Sequence, residues 1–180
     1  GRFEESLVPL RTLLSEGVMD PEVDFLYGNA LQGTGVPMMS IWSLQRSMLD
    51  PEWFERSGLL LASGAVMAKE YNLAIDVSNR LIESDPESPG AHMIRAMARV
   101  GTRRDYEGAI EDADRALELD PDAVQAEVAR TIALLALDRI EDAAEGLAIA
   151  EEYYASDHIP LVAPSTSTRR AAHAKWPALS

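Results

Sequence analysis

The sequence predicts an all-α fold, a helical solenoid of antiparallel helix pairs. A small residue recurs at steps of 34, 34, 35 and 34 residues along the chain. The positions that share this slot are Ser6, Ser40, Ala74, Ala109 and Ala143. A second small slot recurs at steps of 34, 34 and 35 residues, at Gly28, Ala62, Ala96 and Thr131. Because both slots keep nearly the same period, they indicate a repeat of two helices per unit.

The stretch at residues 106–121 shows how one helix of the repeat is built. Ala109, Ala113 and Ala116 stand at i, i+4 and i+7, so they share one face of a helix. A proline ends the stretch, and the residue before a proline is pushed out of the helical conformation. The small side chains on this face would let a neighbouring helix approach closely.

These patterns resemble the tetratricopeptide repeat (TPR), in which an aromatic residue precedes the small residue and a proline closes the unit. The closest copies read Tyr71…Ala74…Leu81…Pro86 and Tyr106…Ala109…Ala116…Pro121, with Phe3…Ser6 and Ile140…Ala143 as looser ones. The resemblance covers residues 1–156 and implies a right-handed superhelical solenoid of about four and a half units. The one extra residue enters between Ala96 and Ala109, which we expect in the turn at residues 101–104.

The repeat divides the chain into segments. We expect residues 1–20 to form the second helix of a truncated repeat, and 21–51, 52–85, 86–120 and 121–156 to form four repeats. This start within a repeat favours a piece of a longer protein over a lone capping helix. The dipeptide Asp-Pro stands at 20, 50, 85 and 120, where we expect aspartate to cap the next helix and proline to occupy its first turn.

Residues 157–180 differ in composition and are expected to be a tail or capping segment. They contain three prolines and three basic residues against one acid. Their large apolar residues include Leu161, Val162, Trp176 and Leu179. Because the rest of the chain is acidic, we expect the tail to pack on the solenoid. It would either cap the last unit near Ile132 and Leu147 or enter a groove in another copy.

The composition excludes several classes of function. The chain has 180 residues, with 30 acidic and 16 basic side chains and a formal net charge of −14, which opposes binding to nucleic acid or anionic lipid. It has no cysteine, so disulfides, thiolate metal sites and cysteine nucleophiles are excluded. No apolar run approaches the ~18 residues of a spanning helix. We expect a soluble protein, with the cytoplasm slightly favoured.

The remaining candidate groups do not predict catalysis. His92, His158 and His173 have no second candidate ligand one turn away, so they favour packing or surface roles. Carboxylate pairs such as Glu111 with Asp112, and Glu151 with Glu152, are expected on solvated faces of second helices.

The Gly33, Thr34 and Gly35 triplet follows a helix and has no lysine behind it. It therefore indicates a turn rather than a phosphate loop. We expect no enzyme activity, no cofactor and no metal site.

The TPR resemblance implies a concave groove lined by the first helix of each unit. Family members place groove residues three before the small residue, one after it and four after it. Those slots hold Phe25, Asn29, Gln32, Leu59, Ser63, Val66, Met93, Met97, Val100, Val128, Ile132 and Leu135, and Arg56 adds a positive charge at an edge. This mostly apolar lining favours the apolar face of a helix or extended peptide, possibly with basic flanks.

Two functions remain compatible with the sequence. The first is a scaffold-like module that holds a peptide or helix of a partner protein in the groove. The second is an architectural, oligomerising or regulatory segment of a larger multidomain protein, with no foreign ligand in the groove. In the second case the apolar residues would pack on neighbouring helices, on the tail or on another copy. Self-association through the tail at 157–180 is a related expectation.

Overall fold

The computed structural model describes the backbone of residues 2–155 and the side chains of residues 3–144 and 146–149. In this part of the chain the regular structure is entirely helical, which confirms the predicted all-α class. The helices are α1 (Arg2–Ser15), α2 (Pro21–Gly33), α3 (Pro37–Ser47), α4 (Phe54–Met67), α5 (Tyr71–Ser84), α6 (Pro89–Thr102), α7 (Tyr106–Leu119), α8 (Val124–Ala136) and α9 (Ile140–Ala155). The expectations for the tail at 157–180 fall outside the described residues.

The chain forms two compact units. Unit 1 (Gly1–Ser84) contains α1 to α5, and unit 2 (Asp85–Ser180) contains α6 to α9. Within each unit, helices that follow one another in the chain pack together. Turns of three residues join α2 to α3, α4 to α5, α6 to α7 and α8 to α9, which makes each pair an antiparallel helical hairpin.

Both small slots lie where helices approach closely. The second-helix slot is fully buried at Ser40, Ala74, Ala109 and Ala143, and the first-helix slot is fully buried at Ala62, Ala96 and Thr131. At Gly28, a Cβ would stand only 2.5 Å from the side chain of Leu44 on α3. A larger side chain at these positions would push the helices apart, so the small residues set the helix spacing.

The turns inside the hairpins repeat as regularly as the helices. Each contains one residue in the left-handed backbone region, at Gly35, Lys69, Arg103 and Asp138, at steps of 34, 34 and 35 residues. Ala109 stands six positions after Arg103, whereas Ser40 stands five positions after Gly35. The extra residue therefore follows Arg103, at the end of the turn that we predicted. Its presence leaves Asp105 to cap α7, where its side chain accepts a hydrogen bond from the Gly108 N–H at 3.0 Å.

The Asp-Pro dipeptides behave alike locally, but only the first begins a helix. The aspartate side chain accepts a hydrogen bond from the N–H two residues later in all four, at 2.8 Å from Glu22, 2.9 Å from Glu52, 3.0 Å from Glu87 and 3.1 Å from Asp122. Only Asp20 is an N-cap. The predicted helix starts at 50, 85 and 120 are wrong, because α4, α6 and α8 begin later.

The cause is a tight turn that precedes each of these three helices. The carbonyls of Asp50, Asp85 and Asp120 accept hydrogen bonds from the N–H three residues later, at 3.1, 3.3 and 3.1 Å. Proline then occupies the second position of a β-turn, where its fixed φ is favourable.

Candidate functional site

The predicted groove residues of unit 1 lie on α2 and α4, and most are accessible. Phe25, Asn29, Leu59 and Ser63 are half-buried, and Arg56 is exposed. The helices α2 and α4 touch only marginally. Their side chains on this side are therefore not closed off by helix packing. We call the side that carries these five residues the α2/α4 face.

A cation and two aromatic rings are stacked on the α2/α4 face. The rings of Phe25 and Trp53 have centroids 5.1 Å apart and are tilted by 43°. The Arg56 guanidinium lies 5.2 Å from the Phe25 centroid and 5.1 Å from the Trp53 centroid, within the range of cation–π attraction. We did not predict Trp53. It stands three residues before Arg56, one turn away, so helical spacing could have found it.

Gln32 was predicted to line the groove, but the structure assigns it a different role. Its Nε2 donates hydrogen bonds to the Leu60 carbonyl at 2.8 Å and to the Ser40 hydroxyl at 3.2 Å. The amide also packs so closely on Gly64 that a Cβ there would overlap it. Because a buried amide needs internal partners, Gln32 joins α2 to α3 and α4 rather than facing a ligand. Val66, also predicted as lining, is buried as well.

In unit 2 the predicted lining is mostly buried, which corrects the sequence expectation. Val100, Val128, Ile132 and Leu135 are between 1% and 4% exposed and belong to the main apolar core. Met93 and Met97 are half-buried, and each packs beside a core cluster. The physical cause is that α6 packs along α8, whereas α2 and α4 barely touch. This contact covers the side that would have faced a groove.

Exposed large apolar side chains are concentrated in unit 1. Among the side chains that the structure describes, unit 2 exposes Val124 and Ile149. The exposed large apolar residues of unit 1 are Phe3, Val8, Leu13, Met19, Leu26, Val36, Met38, Met39, Trp42 and Leu49. Among the described residues, unit 1 therefore carries most of the large apolar side chains on which a partner could pack.

Four of these exposed residues form what we call the α3 strip: Met38, Met39, Trp42 and Leu49. The first three stand at i, i+1 and i+4 on α3, and Leu49 follows two residues after the helix ends. Trp42 is 60% exposed, and the Arg46 guanidinium lies 4.4 Å from its ring centroid. We did not predict this surface, because the TPR resemblance directed attention to the first helices.

A buried polar cluster links α6 to α7 in unit 2. Asp112 was expected on a solvated face, yet its side chain is 4% exposed. It accepts a hydrogen bond from Arg95 Nε at 2.8 Å and forms an ion pair with Arg99 Nη1 at 3.1 Å. His92 Nδ1 lies 3.5 Å from Asp112, and its Nε2 is 3.0 Å from the Pro86 carbonyl. Two cations therefore balance the carboxylate, and His92 has the packing role that we predicted.

The described residues also bear on other functions. They hold no group of three histidine, aspartate or glutamate side chains arranged to bind a metal ion. Within the same residues, every helix is too short or too polar to cross a membrane. The side chains of Glu151 and Glu152 lie outside the described part.

Solved structures of MamA are similar to this fold. MamA 41-end from Desulfovibrio magneticus RS-1 matches with a TM-score of 0.72 and 22% identity, over 87% of this chain and 88% of that chain. A crystal structure of MamA protein matches with a TM-score of 0.71 and 20% identity, over 91% of this chain and 90% of that chain. No protein-family model matches the sequence, and no curated protein matches it. Since MamA is a TPR-like helical repeat protein, the chain has the TPR-like solenoid fold.

Proposed function

We propose that this chain is a protein–protein interaction module, which holds a peptide or helix of a partner on the α2/α4 face of unit 1. The observation that carries the proposal is the stack of Arg56 on Phe25 and Trp53. The few residues that contribute most of the binding energy at protein interfaces are enriched in tryptophan, tyrosine and arginine. Here they are already assembled, so little conformational freedom is lost when a partner binds.

The polar groups on this face support a role in orienting a ligand. Arg56 forms no ion pair with any described residue, so its N–H groups remain available to a partner. Asn29 and Ser63, both half-buried, add an amide and a hydroxyl to the residues of this face. A mostly apolar lining with a few placed polar groups is typical of sites that bind a peptide.

The preferred partner segment is apolar, with basic residues at its flanks. The apolar residues would pack on Phe25 and Leu59, whereas the net charge of −14 attracts basic flanks and repels acidic ones. The fold also supports this function, because stacked TPR-like repeats present extended surfaces to other proteins.

Unit 2 favours the second function that the sequence left open. Four of its six predicted lining residues are core residues, so in its described part it offers fewer accessible apolar side chains than unit 1. We propose that unit 2 is architectural and supports its neighbours in the chain. Catalysis is not part of either proposal. Turnover by the purified chain, or tight stoichiometric metal binding, would contradict both.

A displayed peptide library tests the α2/α4 face. Peptides selected on the full chain should be apolar with basic flanks, and Phe25→Ala or Arg56→Ala should weaken their binding at least tenfold. Glu118→Ala, an exposed change on α7, is the control and should bind like the parent. Selected peptides that bind the parent and both variants equally would place the site elsewhere.

A further inference from the structure

The α3 strip is an apolar surface on a helix without acidic residues in an acidic protein. Of the described helices, only α3 and α6 contain no aspartate or glutamate. None of the exposed large apolar residues lies on α6, whereas α3 presents Met38, Met39 and Trp42. Two copies of a chain with a net charge of −14 repel each other wherever acids face acids. They can approach with the least repulsion along α3.

The one charge within α3 is neutralised inside the same unit. Arg46 donates hydrogen bonds to Asp24 from Nε at 2.6 Å and from Nη2 at 2.7 Å. Across a two-fold axis each residue can meet its own counterpart, so an unpaired arginine would face a second arginine. The Asp24 carboxylate removes this obstacle.

The same arginine holds the most prominent side chain of the strip in place. Arg46 stacks on the Trp42 ring at 4.4 Å, while 60% of the tryptophan remains exposed. A tryptophan that is fixed before association loses less freedom when it is covered. Tryptophan is also among the residues that contribute most to protein interfaces.

From these observations we propose that a second copy of this chain packs on the α3 strip, α3 against α3, about a two-fold axis. The strip is self-complementary because it is apolar and carries no net charge. Trp42 and Gln45 lie near its middle, so an antiparallel pairing brings both close to the axis. This interface is separate from the α2/α4 face and does not depend on the function proposed for that face.

The size of the strip sets the expected strength of the dimer. It exposes about 500 Å² of apolar surface, comparable to the largest apolar patch on a monomeric protein. Two strips would together bury roughly 1,000 Å², the lower end for specific interfaces. We therefore expect a reversible dimer that dissociates in the micromolar range or above.

Sedimentation of the full chain over a wide concentration range tests the proposal. The average mass should rise from that of one chain towards that of two. Trp42→Glu and Met39→Glu should each raise the dissociation constant about thirtyfold or more. Met19→Glu, a charge at an exposed methionine outside the strip, is the matched control and should dimerise like the parent. A parent that stays monomeric throughout, or a folded Met39→Glu variant that dimerises normally, would overturn the proposal.

The absence of cysteine permits a second, geometric test. Gln45→Cys introduces a single thiol near the proposed axis, and oxidation should join two chains covalently. Glu118→Cys places a thiol on the acidic α7 and should cross-link far less. Equal cross-linking of the two variants would contradict an interface at α3. Phe25→Ala should leave the dimer unchanged, which separates this proposal from peptide binding.

Discussion

Arg46 joins a buried carboxylate to an exposed indole: it donates two hydrogen bonds to Asp24 and lies 4.4 Å from the ring centroid of Trp42. Asp24 is 2% exposed, whereas Trp42 is 60% exposed. The ion pair connects α2 to α3, and the same guanidinium positions the tryptophan on the surface. A single arginine therefore couples the packing of the first hairpin to the geometry of the α3 strip.

Asp24→Ala should destabilise unit 1 by about 1–3 kcal/mol, because Arg46 would lose its partner inside the fold. This loss in the free energy of unfolding is smaller than for a fully buried ion pair, since the Arg46 side chain is 23% exposed and can reach water. Denaturant unfolding measures the loss. Tryptophan fluorescence should also change, because Trp42 would lose a fixed neighbour.

Asp114→Ala is the matched control for this ion pair. Asp114 pairs with Arg130 at 2.6 Å, but its side chain is 49% exposed, so its removal should cost within about 1 kcal/mol. Equal losses in the two variants would mean that the Asp24 pair is no more important than a surface pair.

The small slots lead to a second prediction. Ala62→Leu and Ala96→Leu should each cost ~1–3 kcal/mol, because both positions are fully buried at close helix contacts. Glu118→Ala, an exposed change, should stay within about 0.5 kcal/mol. Thermal unfolding of the three variants provides the comparison. If the leucine variants melt with the parent, the assignment of the first-helix slot is wrong.

The repeat could be predicted from the sequence because its cause is local. Ala62 and Ala96 must be small for helices to approach, and this requirement recurs with the period of the fold. The depth of a side chain depends instead on how two first helices pack. Leu59 and Val128 occupy the same slot, but Leu59 is half-buried on α4, which barely touches α2, whereas Val128 is buried on α8, which lies along α6. The spacing of residues in the sequence predicts which face of a helix they share, but it does not predict which neighbouring helix covers that face.

The candidate site was found only in part for a related reason. Phe25 follows from the repeat register and Arg56 was predicted as a charge at the groove edge, but their contact with Trp53 depends on the turn that delays the start of α4. Trp42 lies on a second helix, where the TPR resemblance predicts no ligand. Among the described residues no other helix covers its ring, which is 60% exposed, and no local pattern predicts which helix covers a side chain.

The tail remains a prediction that can be tested by deletion. Removing residues 159–180 should lower the melting temperature and increase the binding of a dye that reports apolar surface, because terminal repeats need a cover. The deletion should leave dimerisation through the α3 strip unchanged. A shortened chain that melts like the parent, together with a tail that is mobile in solution, would contradict packing of the tail on the solenoid.

Gln32 provides the sharpest distinction between a structural residue and a ligand-binding one. Gln32→Ala would remove the hydrogen bonds to the Leu60 carbonyl and the Ser40 hydroxyl and open a gap beside Gly64. We expect a loss of about 1–3 kcal/mol in the free energy of unfolding. Gln45→Ala removes the same side chain from an exposed position on α3 and should stay within about 0.5 kcal/mol. Chemical denaturation of both variants measures the difference. If Gln32→Ala instead unfolds like the parent and weakens the binding of a selected peptide, the Gln32 amide faces the ligand. That result would contradict a structural role between α2, α3 and α4.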